Sequence, residues 1–380
     1  MTIGILGGGQ LGYMLALAGY PLGLHFRFLD PSPEAPVGRI AQRVTADFSD
    51  HAALEKFSNG LELVTYEFEN VPVDAAKFLA ERVPVYPPPR ALEAAQDRLK
   101  EKQLFQKLGI SATEFVSVAE SGELNGAVKE LGFPAVLKTC RMGYDGKGQW
   151  IFRTPEDVAK AEPELPAVPL ILERFVPFTR ELSVLAVRSR AGEIAFYPLV
   201  ENHHRGGILR LSLAPAPRSE PPIQRAAEDA ARRVLVSLDY VGVLAIEFFE
   251  CQGRLLANEM APRVHNSGHW TIEGAITSQF ENHLRAVLGL PLGSTGPTGH
   301  SAMLNLIGEL PESSEILAVP DAHLHLYGKS PRPARKLGHV TLRGASPERL
   351  ALRLSELPAF FHRPEFCLDA ALSTSASLRS

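Results

Sequence analysis

The glycine-rich segment at the start of the chain places the strongest constraint on its fold. In MTIGILGGGQLGYMLALAG, Gly7, Gly9 and Gly12 lie between an apolar run and a helix-like run, and the strand-like LHFRFLD follows and ends at Asp30. The pattern predicts a strand–turn–helix–strand unit in which the N-terminus of the helix faces a phosphate. Because the spacing matches a dinucleotide-binding fingerprint, a nicotinamide dehydrogenase is the first hypothesis.

The remaining pattern predicts three domains and an α/β (α+β) fold class. Strand-like LELVTYEFE and VPVYPPP continue the alternation and indicate a Rossmann-like domain at 1–90 around a mostly parallel sheet. A proline cluster and the helix-like ALEAAQDRLKEKQLFQKLG begin a second domain at 91–290, and LPLGSTGPTGH is a predicted linker to a small third domain at 291–380. The Ser/Ala-rich tail LSTSASLRS is predicted to be disordered.

Composition excludes several classes of protein. A net charge of -4 gives no reason to expect a nucleic-acid or membrane partner. The three scattered cysteines, Cys140, Cys251 and Cys367, argue against a disulfide framework and fit a reducing cytoplasm. No uncharged apolar run approaches transmembrane length, and IGIL is better interpreted as a first strand than as part of a signal peptide. We therefore expect a cytoplasmic globular protein.

A second glycine-rich segment, LKTCRMGYDGKGQWIF, carries a candidate phosphate site. FPAVLKTC and QWIFR are the predicted strands of a hairpin, with Lys138 at the end of the first strand, and Gly143, Gly146 and Gly148 make the connecting loop flexible. Backbone N–H groups of such a loop, together with Lys138 and Lys147, can surround phosphate oxygens. The alternative is a long mobile hairpin with solvated lysines.

Two carboxylates in VGVLAIEFFECQGRLLANEMAP form a candidate metal site. If Gln252–Gly253 form a hairpin turn, Glu247 and Glu259 are predicted to lie on the same face of adjacent strands, and Glu250 on the opposite face. Mg²⁺ prefers one or two carboxylates together with phosphate oxygens. Two surface glutamates are the alternative, but Glu247 lies within the apolar VLAIEFF, where an unpaired buried charge is costly.

Three other charged residues are weaker candidates on their own. Glu173 and Glu181 flank RFVPFT, where a strand after a phosphate loop lies along an adenine edge and an acid is placed for ribose hydroxyls. A solvated strand edge explains both acids at least as well. Arg98 lies in QDRLKEK, and a helix with mixed charge usually presents a solvated face.

Taken together, these elements resemble the ATP-grasp superfamily, in which a lysine, a glycine-rich loop, the acids after it and paired metal carboxylates occur in this order. More narrowly, the chain resembles the 5-(carboxyamino)imidazole ribonucleotide synthetases of purine biosynthesis through IGILGGGQLG, VTYEFENV, QDRLKEK, GYDGKGQ, YPLVENHHRGGIL, NEMAPRVHNSGHWT and YGKSPRPARKLGHV. The resemblance implies an ATP-grasp fold with a Rossmann-like pre-ATP-grasp domain, a lid subdomain at about 110–180 and a small β-rich C-terminal domain. It also implies that the first glycine loop faces the phosphate of the substrate instead of a dinucleotide.

The same resemblance implies a reaction. ATP phosphorylates bicarbonate to carboxyphosphate, which carboxylates the exocyclic amine of 5-aminoimidazole ribonucleotide on the route to IMP, and ADP and phosphate leave. The implied cofactors are ATP and one or two Mg²⁺ ions, and the implied partners are small-molecule substrates and a second copy of the chain in a homodimer. Such chemistry needs cations already placed around the transferred phosphoryl group, and it needs water to be kept from the labile carboxyphosphate.

Residue roles follow from the resemblance, position by position. Glu247 and Glu259 would bind the metal. Lys138 would act on the phosphate, and Arg263 would act on bicarbonate. Asp145 is a candidate base. The nucleotide is expected to contact Arg98, Lys138, Gly143, Tyr144, Asp145, Gly146, Lys147, Gly148, Gln149, Glu173, Arg174, Phe175, Val176, Glu181, His204, Asn258 and Glu259. The ribonucleotide is expected to contact Gln10, Leu11, Tyr144, Asp145, Asn266, Ser267, His269, Lys329, Arg335 and Lys336. Tyr13 and Ala334 depart from the family, which often carries a basic residue and a glycine there.

Other enzymes with the same nucleotide site are the nearest alternatives, namely a formate-dependent glycinamide ribonucleotide transformylase or a biotin carboxylase. GYDGKGQ combined with NHHRGGIL and YGKSPRPARK favours the imidazole nucleotide as acceptor. A non-catalytic nucleotide sensor would be expected to lack Lys138 or one metal carboxylate, and this chain has all three. A dehydrogenase would leave the Lys138 loop and the Glu247/Glu259 pair unexplained.

Overall fold

The N-terminal part of the chain forms a small parallel sheet between helices. The structure, a computed structural model, describes residues 1–143 and 148–368. The elements are β1 (Thr2–Leu6), α1 (Gln10–Gly19), β2 (His25–Asp30), β3 (Gln42–Thr45), α2 (His51–Ser58), β4 (Leu63–Tyr66) and α3 (Val73–Ala80). The strand order is β3-β2-β1-β4 and all neighbours are parallel, which confirms the predicted parallel sheet. VPVYPPP contributes only an isolated bridge between Val85 and Val64, and β3 is a strand that the sequence pattern did not indicate.

A second, antiparallel sheet carries the lysine of the second glycine-rich segment. Its elements follow α4 (Pro89–Ala95) and α5 (Arg98–Lys107) and are β5 (Phe115–Val118), α6 (Leu124–Leu131), β6 (Ala135–Thr139), β7 (Gln149–Phe152), α7 (Pro155–Ala161) and β8 (Leu170–Arg174). The strand order is β5-β8-β6-β7, and the predicted hairpin of β6 and β7 is confirmed. Leu137 and Leu172 pack in the apolar core of this unit. Because side chains alternate along a strand, Lys138 and Glu173 face the other side of the sheet.

The helix-like segment before this sheet forms two helices instead of one. The Asp97 side chain accepts the N–H groups of Leu99 and Lys100 at 3.1 and 3.3 Å and so begins α5. The predicted solvated face is wrong for part of α5, because Glu101 is 2% exposed and Lys102 is 1% exposed. The inward face of α5 lies against β14.

The remaining strands form one large sheet. Its elements are β9 (Arg180–Arg188), β10 (Ile194–Phe196), β11 (Val200–Arg205), β12 (Ile208–Ala214), α8 (Pro221–Ser237), β13 (Gly242–Cys251), β14 (Arg254–Ala261), α9 (Thr271–Gly274), α10 (Gln279–Leu288), β15 (His300–Ile307), α11 (Ser313–Leu317), β16 (Ala322–Leu326), β17 (Lys336–Gly344) and α12 (Pro347–Ser355). The order is β14-β13-β9-β11-β12-β15-β17-β16, with β10 paired to β9. The C-terminal strands therefore extend the sheet of the middle region, although they keep an apolar core of their own.

Two further observations bear on the predicted organisation. The tail LSTSASLRS lies outside the described residues. Among the helices of residues 1–143 and 148–368, none has both the length and the apolar character that crossing a membrane requires.

Candidate active site

A β-bulge brings Glu247 and Glu259 together. β13 and β14 are joined by Gln252 and Gly253, whose φ angles of 52° and 70° fit a tight hairpin turn. A regular ladder closed by this turn would pair Glu247 with Asn258 and would direct Glu259 to the opposite face. The register shifts after Glu247, so that Glu247 pairs with Glu259. The predicted common face is confirmed, but the bulge produces it, and the sequence argument did not include a bulge.

Glu247 faces Glu259 across the strand pair and lies beside a histidine ring that carries no charge. Burial and the charge of Glu259 raise the pKa of Glu247 to about 7. The ring nitrogen Nε2 of His265 lies 3.4 Å from Glu247 Oε1, but burial and the neighbouring Arg263 lower the pKa of His265 to about 3, so this ring is neutral at pH 7. The carboxylate pair can therefore accept a cation from a ligand.

Arg98 connects this pair to the second glycine-rich segment. Its NH1 group donates to Glu259 Oε2 at 2.9 Å, and its NH2 group donates to the carbonyl of Gly143 at 2.9 Å. Its backbone N–H donates to the carbonyl of Cys140 at 2.9 Å. Burial opposes the charge of Glu259, but the charge and hydrogen bond of Arg98 outweigh it and lower the pKa of that carboxyl. One guanidinium thus joins the carboxylate hairpin to the start of the predicted phosphate loop.

Glu173 is held between two lysines. Lys138 Nζ donates to Glu173 Oε2 at 2.8 Å, and Lys102 Nζ lies 3.8 Å from Glu173 Oε1. Burial by itself would raise the pKa of Glu173, but the two lysine charges lower it to about 2. The carboxylate predicted to line the adenine is therefore directed at Lys138. Arg174 lies on the opposite face of β8 and binds Glu114 at 2.8 Å, so its side chain is turned away from this group.

The predicted ribose residues lie next to an aromatic pair. Glu181 Oε2 lies 3.0 Å from His204 Nδ1, and this carboxylate outweighs burial and raises the pKa of His204. Phe249 pairs with Glu181 across the sheet and stacks on Phe178 at a centroid distance of 4.7 Å. Since Phe249 lies two residues after Glu247, the strand alternation could have identified it as facing the same side. Phe175 and Val176, after the end of β8, are partly exposed.

Arg263 is fixed by an acid from the N-terminal region. Its Nε donates to Glu69 and its NH1 donates to the carbonyl of Val264 at 2.9 Å. The Arg263 side chain is 12% exposed, so it is not a surface arginine. Within the described part of the chain, these two bonds leave NH2 for a ligand.

Carboxylate side chains of the protein accept hydrogen bonds from the backbone N–H groups of the first glycine loop. Glu67 accepts the N–H groups of Gly9 and Gly12 at 2.9 and 3.3 Å, and Asp30 accepts the N–H of Gly8 at 2.6 Å. A Cβ atom added at Gly9 would lie 2.8 Å from Glu67 Oε1, so Glu67 accounts for the glycine there. Since Asp30 is turned into the loop, this geometry argues against a dinucleotide site.

Residues predicted to bind the ribonucleotide come from distant parts of the chain. Gln10 at the start of α1 accepts a hydrogen bond from Lys329, which lies in the loop between β16 and β17, and Leu11 is buried behind it. In the same loop, the Arg335 guanidinium donates to the carbonyl of Ser330 at 3.2 Å. Lys336 begins β17. Ala334 has a φ of 61°, the left-handed conformation that glycine adopts without strain.

Three predicted substrate residues of the segment after β14 differ in accessibility. Both amide atoms of Asn266 are buried without a hydrogen-bond partner in the described part of the chain, so they can serve a ligand. Ser267 and His269 have no exposed surface: Ser267 binds Ser183 and His265, and the ring of His269 contacts neighbouring rings. The structure therefore places these two side chains in the interior instead of at a ligand surface.

The central residues of the glycine-rich loop, Tyr144, Asp145, Gly146 and Lys147, lie outside the described residues, so their roles stay predictions. At the loop ends, Gln149 pairs with Lys138, and Gly148 has a φ of 67°. A Cβ atom at Gly148 would lie 2.7 Å from the Thr139 hydroxyl, so this close approach requires glycine.

Comparison with known proteins agrees with this arrangement. Family models match the ribonucleotide synthetase pre-ATP-grasp domain at residues 1–96, the ATP-grasp domain at 103–280 and the phosphoribosylaminoimidazole carboxylase C-terminal domain at 301–353. A Pseudomonas aeruginosa N5-carboxyaminoimidazole ribonucleotide synthase is 55% identical over 94% of this chain and 99% of its own. The chain belongs to the N5-carboxyaminoimidazole ribonucleotide synthase family.

Solved structures of this synthase family have the same fold. The Thermus thermophilus synthetase is 61% identical with a TM-score of 0.90, covering 93% of this chain and 97% of its own. The Aspergillus clavatus synthase, solved with ADP and 5-aminoimidazole ribonucleotide, is 30% identical with a TM-score of 0.87 and covers 98% of both chains. The predicted fold class and family are thereby confirmed.

The carboxylate pair of this synthase fits a metal ion that is shared with a nucleotide. Within residues 1–143 and 148–368, no group of three or more histidine, cysteine or acidic side chains could hold an ion alone. Glu247 and Glu259 supply two carboxylates, and Asn258 Oδ1 is a buried acceptor without a partner in the described structure. Mg²⁺ commonly takes one or two carboxylates and completes its ligands with phosphate oxygens and water.

Sequence reasoning missed the residues that support the site. Glu67 and Glu69 directly follow β4, and ligand groups in parallel sheets gather at the carboxyl ends of strands. Lys102 lies four residues after Arg98 and Glu101 three residues after it, so both share a helix face with it. Glu101 accepts the Met260 N–H at 2.6 Å, next to Glu259, and burial raises its pKa to about 8.

Proposed function

We propose that this chain is an ATP-dependent ligase that carboxylates 5-aminoimidazole ribonucleotide to N5-carboxyaminoimidazole ribonucleotide in purine biosynthesis, with bicarbonate as carbon source and carboxyphosphate as intermediate. The contact that carries the proposal is Arg98, which binds both Glu259 and the Gly143 carbonyl. This contact joins the carboxylate pair to the start of the glycine-rich loop, and Lys138 lies near the end of the strand before that loop. A triphosphate requires these three elements together.

At the nucleotide end of the site, charged side chains are proposed to bind ATP and its metal ion. Glu247 and Glu259 would hold Mg²⁺, which when bound neutralises the phosphate charge. Lys138 and Arg98 add positive charge, and the Phe178–Phe249 stack offers an apolar wall for the base beside Glu181. Because these groups are positioned by hydrogen bonds before a ligand enters, little reorganisation is needed during phosphoryl transfer.

The acceptor end is assigned to groups that bind anions. Arg263 would hold bicarbonate or carboxyphosphate through the side of its guanidinium that Glu69 does not occupy. Gln10, Lys329, Arg335 and Lys336 would bind the phosphate of the ribonucleotide, and Asn266 would bind another part of it. Asp145 remains the candidate base.

The wider organisation is proposed from the family resemblance. The units are a substrate domain at 1–90, an ATP-grasp domain at 91–290 with its lid at about 110–180, and a C-terminal domain at 291–380. A homodimer in the cytoplasm is proposed on the same basis. The three cysteines are free thiols, which is compatible with a reducing compartment.

Phosphate release tests the proposed function. We expect ATP hydrolysis that depends on bicarbonate and rises strongly when 5-aminoimidazole ribonucleotide is added, measured as inorganic phosphate and as the carboxylated product. Stimulation by formate with glycinamide ribonucleotide, or by biotin, would show that the acceptor assignment is wrong.

A further inference from the structure

A buried lysine near the nucleotide site has no role in the proposed mechanism. Lys102 lies on the inward face of α5 and is 1% exposed. Its Nζ donates to the carbonyl of Ala257 at 3.3 Å, close to the bulge that presents Glu259. Lysine is rarely buried this completely, because removing an ammonium from water is costly unless it has a partner. The anion within reach is Glu173, at 3.8 Å.

Glu173 is shared unequally between its two lysines. Oε2 accepts a hydrogen bond from Lys138 at 2.8 Å, whereas Oε1 has Lys102 at 3.8 Å and no hydrogen-bond partner in the described structure. Lys102 therefore neutralises Glu173 without a full hydrogen bond. A small shift of either side chain would convert this contact into one, since N⁺–H···O⁻ bonds lie near 2.8 Å.

The role proposed for Lys138 at the phosphates would draw its ammonium away from Glu173. Its side chain is 11% exposed, compared with 1% for Lys102, so Lys138 is the lysine of the pair that a nucleotide reaches. When its ammonium turns towards phosphate oxygens, Glu173 loses its hydrogen bond. A buried carboxylate left without a cation is strongly destabilising, and this would oppose nucleotide binding.

We propose that Lys102 is a positioning residue: it is the resident counterion of Glu173, and it allows Lys138 to exchange this carboxylate for the phosphates of the nucleotide. The inference rests on the proposed nucleotide site but not on the identity of the acceptor. In this arrangement α5 supplies Arg98 to the carboxylate pair and Lys102 to the carboxylate that retains Lys138.

The first test is Lys102→Met, which keeps the length of the side chain and removes its charge. We expect the dissociation constant for Mg·ATP, measured by calorimetry without bicarbonate or ribonucleotide, to rise about tenfold or more, as for other residues that support a binding group. The KM for ATP should rise likewise, while the KM for the ribonucleotide stays unchanged. Lys100→Met is the matched control, because Lys100 is 53% exposed on the same helix and pairs with Glu93.

The second test separates positioning from simple packing. In a Glu173→Gln background Lys138 has no carboxylate to leave, so adding Lys102→Met should change the Mg·ATP dissociation constant by less than about threefold. The double variant has no buried charge at either position, and neutral replacements of buried ion pairs usually fold. It therefore remains measurable if Lys102→Met alone is unstable.

Two results would overturn the inference. One is a Lys102→Met protein that binds Mg·ATP as tightly as the wild type. The other is an equal loss of affinity from Lys102→Met in both backgrounds, which would mean that Lys102 acts through packing. Failure of the proposed function looks different: the wild type would bind Mg·ATP but would not carboxylate the ribonucleotide.

Discussion

Two sets of buried acids lie in the same candidate site, and the protein neutralises their negative charge to different extents. Glu173 has a lysine at each oxygen, and its pKa is lowered to about 2. Glu247 and Glu259 face each other across a bulge, and the pKa of Glu247 is raised to about 7. The negative charge of the first set is neutralised by cations of the protein itself. In the second set Arg98 offsets Glu259, but Glu247 lies beside the neutral ring of His265, and the protein accepts this unbalanced charge where a ligand is expected to bring a cation.

The largest expected effect comes from removing the Glu259 carboxylate of the second set. Glu259→Gln should lower kcat about 1000-fold or more, because it removes a proposed metal ligand and the partner of Arg98. The far-ultraviolet circular dichroism should stay close to that of the wild type, whereas the melting temperature should fall, because Arg98 loses its carboxylate partner. Near-normal turnover would remove Glu259 from the metal site.

Glu250→Gln is the matched control on β13. Glu250 lies on the opposite face of the strand and binds Arg180 at 2.5 Å. Its loss should lower stability but should leave kcat within about twofold, since a residue that only packs the fold does not enter transition-state stabilisation.

The same substitution at the balanced acid should act on stability. Glu173→Gln leaves Lys102 buried beside a neutral amide, and we expect the free energy of unfolding to fall by about 3 kcal/mol. Because the folded pKa of Glu173 is about 2 and its ordinary value is 4.5, the difference should be complete above pH 4.5 and should disappear as the pH falls towards 2. Urea denaturation across this range measures it. A difference that persists at pH 2 would contradict the charge argument.

For Glu247 in the second set, the same substitution should raise the stability of the protein instead of lowering it. Glu247→Gln removes repulsion between two adjacent carboxylates, so in EDTA we expect the protein to gain about 1 kcal/mol. The stabilisation that Mg·ADP gives to the wild type should be lost in this variant, as thermal shifts with and without the complex would show. If Glu247→Gln and Glu173→Gln both destabilise the protein in EDTA, the two sets of acids do not differ as described.

The contrast between the two acid sets was only partly visible in the sequence. Apolar periodicity and turn residues, which are local signals, predicted most of the strands and helices, and the resemblance carried by Lys138, the glycine-rich loop and the carboxylates predicted the family. The common face of Glu247 and Glu259 was predicted as well. Its cause was not, because a bulge at Asn258 depends on how β14 packs against α5 and Ser111.

The supporting residues were hidden for a different reason. Lys102 and Glu101 have the sequence character of a solvated helix face, and only contacts with β8 and β14 reveal that they are buried. Likewise, the roles of Glu67 and Glu69 can be recognised only in the folded chain. There Glu67 lies beside Gly9 and Glu69 lies beside Arg263. Ser267 and His269 were predicted at the substrate, whereas tertiary packing buries both.

A further buried acid, Glu67, extends the comparison to the acceptor end, where its charge acts on Lys329. Burial lowers the pKa of Lys329 to about 8, against the opposing charge of Glu67 and with the help of Arg335 and Lys336. The ammonium is thus charged below pH 8 and neutral above it. If it binds the phosphate of the ribonucleotide, kcat/KM for that substrate should fall about fivefold between pH 8 and pH 9, since this parameter reports groups of the free enzyme.

Lys329→Arg supplies the control, because a guanidinium stays charged over this range. In this variant the decline of kcat/KM above pH 8 should disappear, while the KM for ATP should be flat over the same range in both proteins. A decline that persists in Lys329→Arg would assign the titration to another group. It would also mean that the lysine near Glu67 carries no charge that the ribonucleotide requires. Glu67 would then differ from Glu173, whose lysine is proposed to bind the nucleotide.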